Sequence, residues 1–400
     1  MNFINFAILF VMAWLGHACL WIALLNNLYG RPISKSFLKC WRHFTGVWIL
    51  AFPAIIYIGA SALTAGEHFN WNPWLRLLFA FVFLYSLAMT VIGGVVLPLI
   101  TFDKFARRPT VSVLATQTRT LDLWPELGAK LLGDGKWRHI ARLPFNGIFR
   151  VDFTEMTLAV PKLPAAWDGL SILLLSDWHF CGTPSEAYYL RVIEEIEKQP
   201  TADIIALAGD YLDTDAHRKW IVPLLGRLKA TEGKFAILGN HDVKYEPDRL
   251  RAELTEAGYS IVSNSAMIAT IRGVEAVIVG HEGPWFRPAP DLSDVPKDRF
   301  RLCISHTPDN FYWGQANGIN LMLCGHVHGG QIRLPIVGSI FVPSRYGRRF
   351  DMGTFDEGGT QMVVGRGISG KEAFRFRCNP EVVRVVLRSK ESVAGSPASR

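Results

Sequence analysis

Three long stretches of this chain carry no charged side chain: residues 1–30, 44–66 and 77–102. Each exceeds the roughly 20 residues that a helix needs to cross a bilayer core. A soluble fold has little room for three such runs in its first hundred residues. We therefore read membrane spans at about 5–27, 44–65 and 77–100, a transmembrane region over 1–102, with Pro53 placed to kink the second span. The first run lacks the basic leader of a signal peptide and is too long for its apolar core, so it reads as a retained span.

The flanking charges orient these spans. Arg31, Lys35, Lys39 and Arg42 lie between the first two runs, with no acidic residue among them. Glu67, Trp71, Trp74 and Arg76 lie between the second and third, and tryptophan suits a membrane interface. Asp103, Lys104, Arg107 and Arg108 follow the third. The positive-inside rule then assigns the remaining three-quarters of the chain to the cytoplasmic side of a multi-pass protein. The +7 net charge is concentrated at this end, since residues 1–150 carry +9 and residues 151–400 carry −2. The basic surplus is thus a collar for anionic lipid head groups, and no nucleic-acid binding is expected. The six cysteines show no zinc or disulfide spacing.

Residues 103–147 read as a basic juxtamembrane connector. Leu121 to Leu143 within it is either an amphipathic piece on the membrane surface or a linker packed on the rest of the chain. From residue 148 to 388 the pattern becomes α/β. Short apolar runs at Ile172–Leu175, Asp203–Ala208, Phe235–Leu238, Leu302–Ile304 and Leu321–Leu323 read as buried strands, with helical periodicity at Glu186–Lys198, Arg218–Lys229 and Asp248–Glu256. The small polar tail, 389–400, reads as disordered.

Each of the five strands ends in potential metal ligands. In order they are Asp177-Trp-His179, Gly209-Asp210-Tyr-Leu-Asp213, Gly239-Asn240-His241-Asp242, Ser305-His306 and Gly325-His326-Val-His328. Glycine ahead of a ligand lets the backbone turn sharply and approach an ion. One such motif is weak, but five at the same structural position form a constellation. Its imidazole, carboxylate and amide donors suit two divalent ions, Mn, Fe, Zn or Co, better than Mg or Ca. Two ions 3.5–4 Å apart (a general spacing) need a bridging anion, and they would activate a bridging water as a nucleophile.

These motifs resemble those of the calcineurin-like metallophosphoesterases, and in GHVHGGQIRLP the branch of membrane-associated bacterial enzymes, relatives of which hydrolyse a lipid-linked pyrophosphate. The resemblance implies a four-layer αββα sandwich. It implies one metal on Asp177, His179, Asp210 and His328, and a second on Asp210, Asn240, His306 and His326, with Asp210 shared. It implies that His241 assists the leaving group and that Asp213 orients His241. Trp178 departs from the aliphatic residue common at its position and is expected to point into the core. Arg333 is a candidate for holding a phosphate oxygen. His17, His217, His281, Glu282 and Asp242 are expected to be structural. The expected substrate is a phosphodiester or pyrophosphate, lipid-linked in view of the spans. A soluble nucleotide or phosphoprotein substrate is the alternative, and a non-catalytic scaffold is a weaker one.

Overall fold

A computed structural model describes residues 3–65, 72–106, 110 and 112–389. Glu67, Trp71, Arg107, Arg108 and the tail from 390 lie outside the described residues. The chain divides into two compact units, Met1–Arg108 and Pro109–Arg400.

The first unit is helical: α1 spans Phe3–Tyr29, α2 Lys35–Ala65 and α3 Pro73–Val91, and a π-helical segment, Ile92–Val96, leads into α4, Leu97–Ala106. Three helical stretches, Ile4–Tyr29, Lys35–Gly59 and Pro73–Phe102, are long and apolar enough to cross a membrane. Lys35, Lys39 and Arg42 belong to the first turns of α2 rather than to a connecting loop. Long basic side chains near a helix end can reach back to the interface, so the apolar run need not begin where the helix does. Pro53 lies inside α2 and removes an N–H that would bond the carbonyl of Ile49. That carbonyl accepts a hydrogen bond from Trp14 Nε1 of α1 at 2.9 Å, so the proline's missing bond becomes an interhelical one. His17 of α1 is fully buried, stacks on Phe52 at 4.0 Å, and places Nδ1 2.7 Å from the Tyr85 hydroxyl of α3. The ring stack and this polar contact together tie α1 to α2 and to α3.

The second unit is built on two large sheets. One has seven strands. In spatial order they are Val113–Asp122, Arg150–Val160, Glu381–Ser389, Ser171–Leu175, Ala202–Leu207, Ala230–Ala236 and Ser260–Ile261. The other has six, in the order Gly353–Glu357, Thr360–Val364, Leu321–Cys324, Arg301–Ser305, Val274–His281 and Ser265–Ile271. Alternation of side chains sorts residues between layers. Ile172, Leu174, Ile204 and Ala206 of the first sheet meet Ile278, Leu302, Ile304, Leu321 and Leu323 of the second in one core. Leu173, Leu175, Ile205 and Leu207 pack outward on Tyr188, Tyr189, Val192 and Ile193 of the helix Glu186–Glu197. Cys303, Met322 and Val364 pack outward on Phe311 of the short helix Phe311–Ala316. The result is the four-layer αββα sandwich. Ser171–Leu175, Ala202–Leu207, Arg301–Ser305 and Leu321–Cys324 are buried on both faces, which is why they read as mostly apolar runs.

The connector differs from its sequence reading in one respect. Val113–Asp122 is an edge strand of the seven-stranded sheet, paired antiparallel with Arg150–Val160. Its burial is slight and its sequence polar, so alternation gave no signal. Past that strand, Leu131 and Leu132 are buried in the sandwich core, and Ser185 N and Thr183 Oγ1 donate to the Leu131 and Leu132 carbonyls at 3.0 and 2.6 Å. Leu131 and Leu132 of this stretch thus pack on the rest of the chain.

Candidate metal centre

The strands Ser171–Leu175, Ala202–Leu207 and Ala230–Ala236 run parallel in one sheet, and Arg301–Ser305 and Leu321–Cys324 run parallel in the other. Open sheets place their sites beyond the carboxyl ends of such strands. The five motifs follow these five ends and meet there. Ligand-type atoms of Asp177, His179 and His328 lie within 4.8 Å of one another, as do those of Asp210, His306 and His326. A third group, His179, Asp210 and His241, meets the same limit and joins the other two. Asp210 Oδ2 sits between them, 3.7 Å from His179 Nε2 and 3.5 Å from His306 Nε2. Asn240 Oδ1 is 3.0 Å from His306 Nε2.

The backbone is strained at this convergence. Asp177, His179, Asp210, His326 and His328 all have positive φ, between 47° and 71°. Each such non-glycine residue costs about 1–2 kcal/mol, and strain of this kind gathers at functional sites. The sequence reading assigned the sharp turns to glycine, but the candidate ligands carry much of the bend themselves. Glycine serves a second purpose here. A Cβ on Gly239 would stand 2.2 Å from Asp210 Oδ1, and one on Gly325 would stand 2.7 Å from Asp177 Oδ2. Both positions must be bare for the carboxylates to sit where they do.

The strained turns are held by buried hydrogen bonds. Asp242 accepts from the backbone N–H groups of Asp210, Tyr211, Leu212 and Gly239 at 2.8–3.3 Å. It therefore clamps two ligand turns together. His241 N donates to Asp210 Oδ1 at 2.7 Å, and His326 N donates to Asp177 Oδ2 at 3.0 Å. Trp178 is fully buried against Phe180 and Tyr189, pointing away from the ligands.

The second nitrogen of each imidazole tests whether the cluster suits a metal. A ligating histidine normally donates its other N–H to an oxygen. His179 Nδ1 faces Asp213 Oδ2 at 2.9 Å, His306 Nδ1 faces the Ala208 carbonyl at 2.7 Å, and His326 Nε2 faces the Pro343 carbonyl at 3.0 Å. Each leaves one nitrogen for an ion. His328 is the exception, because Arg375 Nη2 approaches its Nδ1 at 3.2 Å and cannot accept a proton. The donor set fits borderline divalent ions all the same.

The electrostatics agree. Burial opposes charge on His179 and His306, yet Asp213 and Asp210 outweigh it and push both imidazoles up to about 9. Asp210 is held well below the usual carboxylate range despite burial, by His306 and His241. Without an ion, protons balance these carboxylates, and cation binding would displace them.

Asp213 does more than its sequence reading assigned. Its Oδ1 is 2.5 Å from His241 Nδ1 while Oδ2 takes His179, so one carboxylate orients both rings. His241 stands edge-on to His179, with ring centroids 4.7 Å apart. Arg333 does not face this cluster with a free guanidinium. It pairs with Asp351 at 2.8 Å and donates to the Gly329 carbonyl. His217, His281 and Glu282 take structural roles. Glu282, for example, accepts from Leu238 N, Arg251 and Ser263. The sequence reading passed over Trp285, whose ring lies 4.7 Å from His326 and 5.6 Å from His306 and forms a wall of the site. No local pattern marks such a residue, since only the fold of its loop brings it there.

Fold and site together define a metal-dependent phosphoric ester hydrolase. Comparison with known proteins carries this to a family. The calcineurin-like phosphoesterase family profile matches residues 170–330. Phosphodiesterase YaeI of Escherichia coli is 31% identical over 226 residues, covering 54% of this chain and 81% of that protein. The uncharacterized metallophosphoesterase YkuE of Bacillus subtilis is 29% identical, covering 60% of this chain and 86% of that protein. A transmembrane protein with metallophosphoesterase domain from Danio rerio is 23% identical over 348 residues, covering 80% of this chain and 74% of that protein. The chain belongs to the calcineurin-like metallophosphoesterases, a family that uses divalent metals.

Proposed function

We propose that this chain is a membrane-anchored two-metal phosphoesterase that hydrolyses a phosphodiester or pyrophosphate of a lipid. The observation that carries the two-metal reading is the place of Asp210, one carboxylate oxygen within 3.7 Å of histidines from both clusters. Asp177, His179, Asp210 and His328 would hold one ion, and Asp210, Asn240, His306 and His326 the other, drawn from Mn, Fe, Zn or Co. Bound there, the ions supply Lewis-acid charge for phosphoryl oxygens and for activating water.

The chain's own residues do the rest. Asp213 accepts from His241 Nδ1 and so leaves Nε2 to face substrate. As the imidazolium, with Nδ1–H on Asp213, His241 donates its Nε2 proton to the leaving oxygen and returns to the neutral ring, a step of the kind that contributes about 10²- to 10⁴-fold. Trp285 walls the site beside His306 and His326. The lipid part of the reading is supported by the three apolar helices, which confine the enzyme to the surface where such substrates reside. The basic flanks support a cytoplasmic catalytic unit, and a reporter fused after residue 110 should behave as cytoplasmic.

The test is turnover by the full-length protein, reconstituted with Mn, on lipid phosphates and soluble nucleotides side by side. We expect lipid phosphodiesters or pyrophosphates to be cleaved, and His241→Ala to lower kcat by about 10²- to 10⁴-fold with metal content unchanged. Cleavage of nucleotides alone would sink the lipid substrate. Unaltered turnover in His241→Ala would sink the proton-transfer role.

A further inference from the structure

The excursion between the last metal-ligand motif and residue 343 leaves from one candidate ligand and returns to another. Gln331 N donates to the His328 carbonyl at 3.1 Å, and the Pro343 carbonyl meets His326 Nε2 at 3.0 Å. Between these anchors the chain forms a hairpin, in which Arg333–Leu334 pairs antiparallel with Gly338–Ser339.

The hairpin reverses the usual sorting of a surface strand, in which polar residues face water and apolar ones face the protein. Ile332 and Leu334 face outward, 39% and 41% exposed. Arg333 between them turns inward to Asp351, and Ser339 opposite is buried and donates to the same carboxylate. At the tip, Ile336 is 74% exposed and has a φ of 66°. A β-branched residue in the left-handed region is a genuine outlier. The strained position therefore presents an apolar side chain to the outside, where glycine or asparagine would sit without strain. Arginines flank this apolar ridge in the chain, three of them, Arg333, Arg345 and Arg349, in pairs with Asp351, Asp309 and Glu357. Residues 331–349 contain four arginines and no acidic residue. Arg348 donates to the Val337 carbonyl, directly behind the tip. Arg345, Tyr346 and Arg349, close to Arg348 in the chain, are exposed. Apolar tip, aromatic ring and basic flank together match the interfacial zone of an anionic bilayer.

We propose that the Ile332–Ser339 hairpin docks the catalytic unit on a lipid surface, with Leu334 and Ile336 entering the acyl boundary and the arginines meeting anionic head groups. Because the hairpin is rooted on His326 and His328, docking sets the metal centre at head-group depth. The proposal rests on the bilayer reading of the apolar helices, and it deepens the lipid-substrate reading without needing the substrate's identity.

The test uses full-length protein in vesicles of phosphatidylcholine with phosphatidylglycerol. Ile336→Cys is labelled with an environment-sensitive fluorophore and challenged with lipid-borne quenchers. Ile268→Cys, on an exposed edge strand, is the control, and the unsubstituted chain supplies the background from exposed Cys40. We expect the label at 336 to shift blue and be quenched, and the label at 268 to do neither. A water-like label at 336, or protection that appears only as protein concentration rises, overturns the proposal; the latter would make a second copy the occupant. In parallel, Leu334→Ser with Ile336→Ser should lower turnover of a vesicle-borne lipid phosphate about ten-fold while changing kcat on a soluble aryl phosphodiester less than about two-fold. An equal loss on both substrates means damage to the site rather than lost docking, and also overturns it. If no lipid phosphate is cleaved by the unsubstituted enzyme, the substrate reading fails, and the label still decides docking.

Discussion

Leu50, Trp74 and Phe81 stand 73%, 77% and 66% exposed on the helical unit, while His17, Asn26 and Thr45 are buried within it. The catalytic unit sorts the other way. Its strands bury Ile172, Ile204, Leu302 and Leu323 completely, and its buried charges gather at the strand ends. The two units obey one rule, that each side chain meets a matching environment, but their surroundings differ. Hydrocarbon outside, as proposed for the helical unit, would make polar contacts the interior glue, and water outside makes apolar contacts the core. The Ile332–Ser339 hairpin is where the catalytic unit follows the helical unit's rule.

This comparison can be broken at several points, with effects of falling size. Asp210→Asn removes the carboxylate proposed to be shared by both halves of the centre. We expect turnover to drop at least about 10³-fold and bound metal, counted by elemental analysis, to fall. Chelation should do the same reversibly. A variant that kept both metals and full activity would remove Asp210 from its bridging place.

Asp242→Asn tests whether the strained turns need their clamp. An amide nitrogen would then confront backbone N–H groups, at a cost of about 2–4 kcal/mol. Thermal unfolding of the full chain should report a loss of several degrees, with activity reduced as the ligand turns loosen. An unchanged melting profile would show that the turns hold without it.

His17→Phe probes the opposite unit. The ring would still fill its place on Phe52, but the bond to Tyr85 would be gone. Interhelical hydrogen bonds in lipid average well under 2 kcal/mol, so a small loss of thermal stability in detergent is expected. Hydrolysis of a soluble diester should not change, and a large fall would mean that the helical unit acts on the chemistry.

The smallest effect concerns the catalytic unit's surface. Burial opposes ionisation of Glu195, but Arg191, Lys198 and Arg119 outweigh it and hold the carboxyl at about 2. That lies below its unfolded value of about 4.3, so the contribution to stability is complete above that value and vanishes as pH falls toward 2. Melting temperature should therefore fall more steeply with acid in the unsubstituted protein than in Glu195→Gln. Parallel curves would show the network to be idle.

Much of this protein was legible in the chain itself, for definite reasons. A helix able to cross a membrane needs an apolar run of some 20 residues, so the three helices long and apolar enough to do so announce themselves. A strand buried on both faces is a mostly apolar run, so Ser171–Leu175, Ala202–Leu207, Arg301–Ser305 and Leu321–Cys324 do too, whereas the inner strands Arg150–Val160, Thr360–Val364 and Glu381–Ser389 were not read from the sequence. Candidate ligands stand at strand ends in short motifs, so Asp177, His179, Asp210, Asn240, His306, His326 and His328 could be named as candidates, and the fold brings them together. Val113–Asp122 was not legible, because an exposed edge strand needs no apolar pattern. The second role of Asp213, the four-bond clamp of Asp242, the arginine behind His328 and the wall made by Trp285 were not legible either. Each depends on a contact between segments far apart in sequence, and only the packing of two sheets decides which distant groups meet. The hairpin shows the same division. Its residues could be read as Gln-Ile-Arg-Leu-Pro-Ile, but which of them face outward was settled by Asp351, which draws Arg333 in and leaves the isoleucines and the leucine outside.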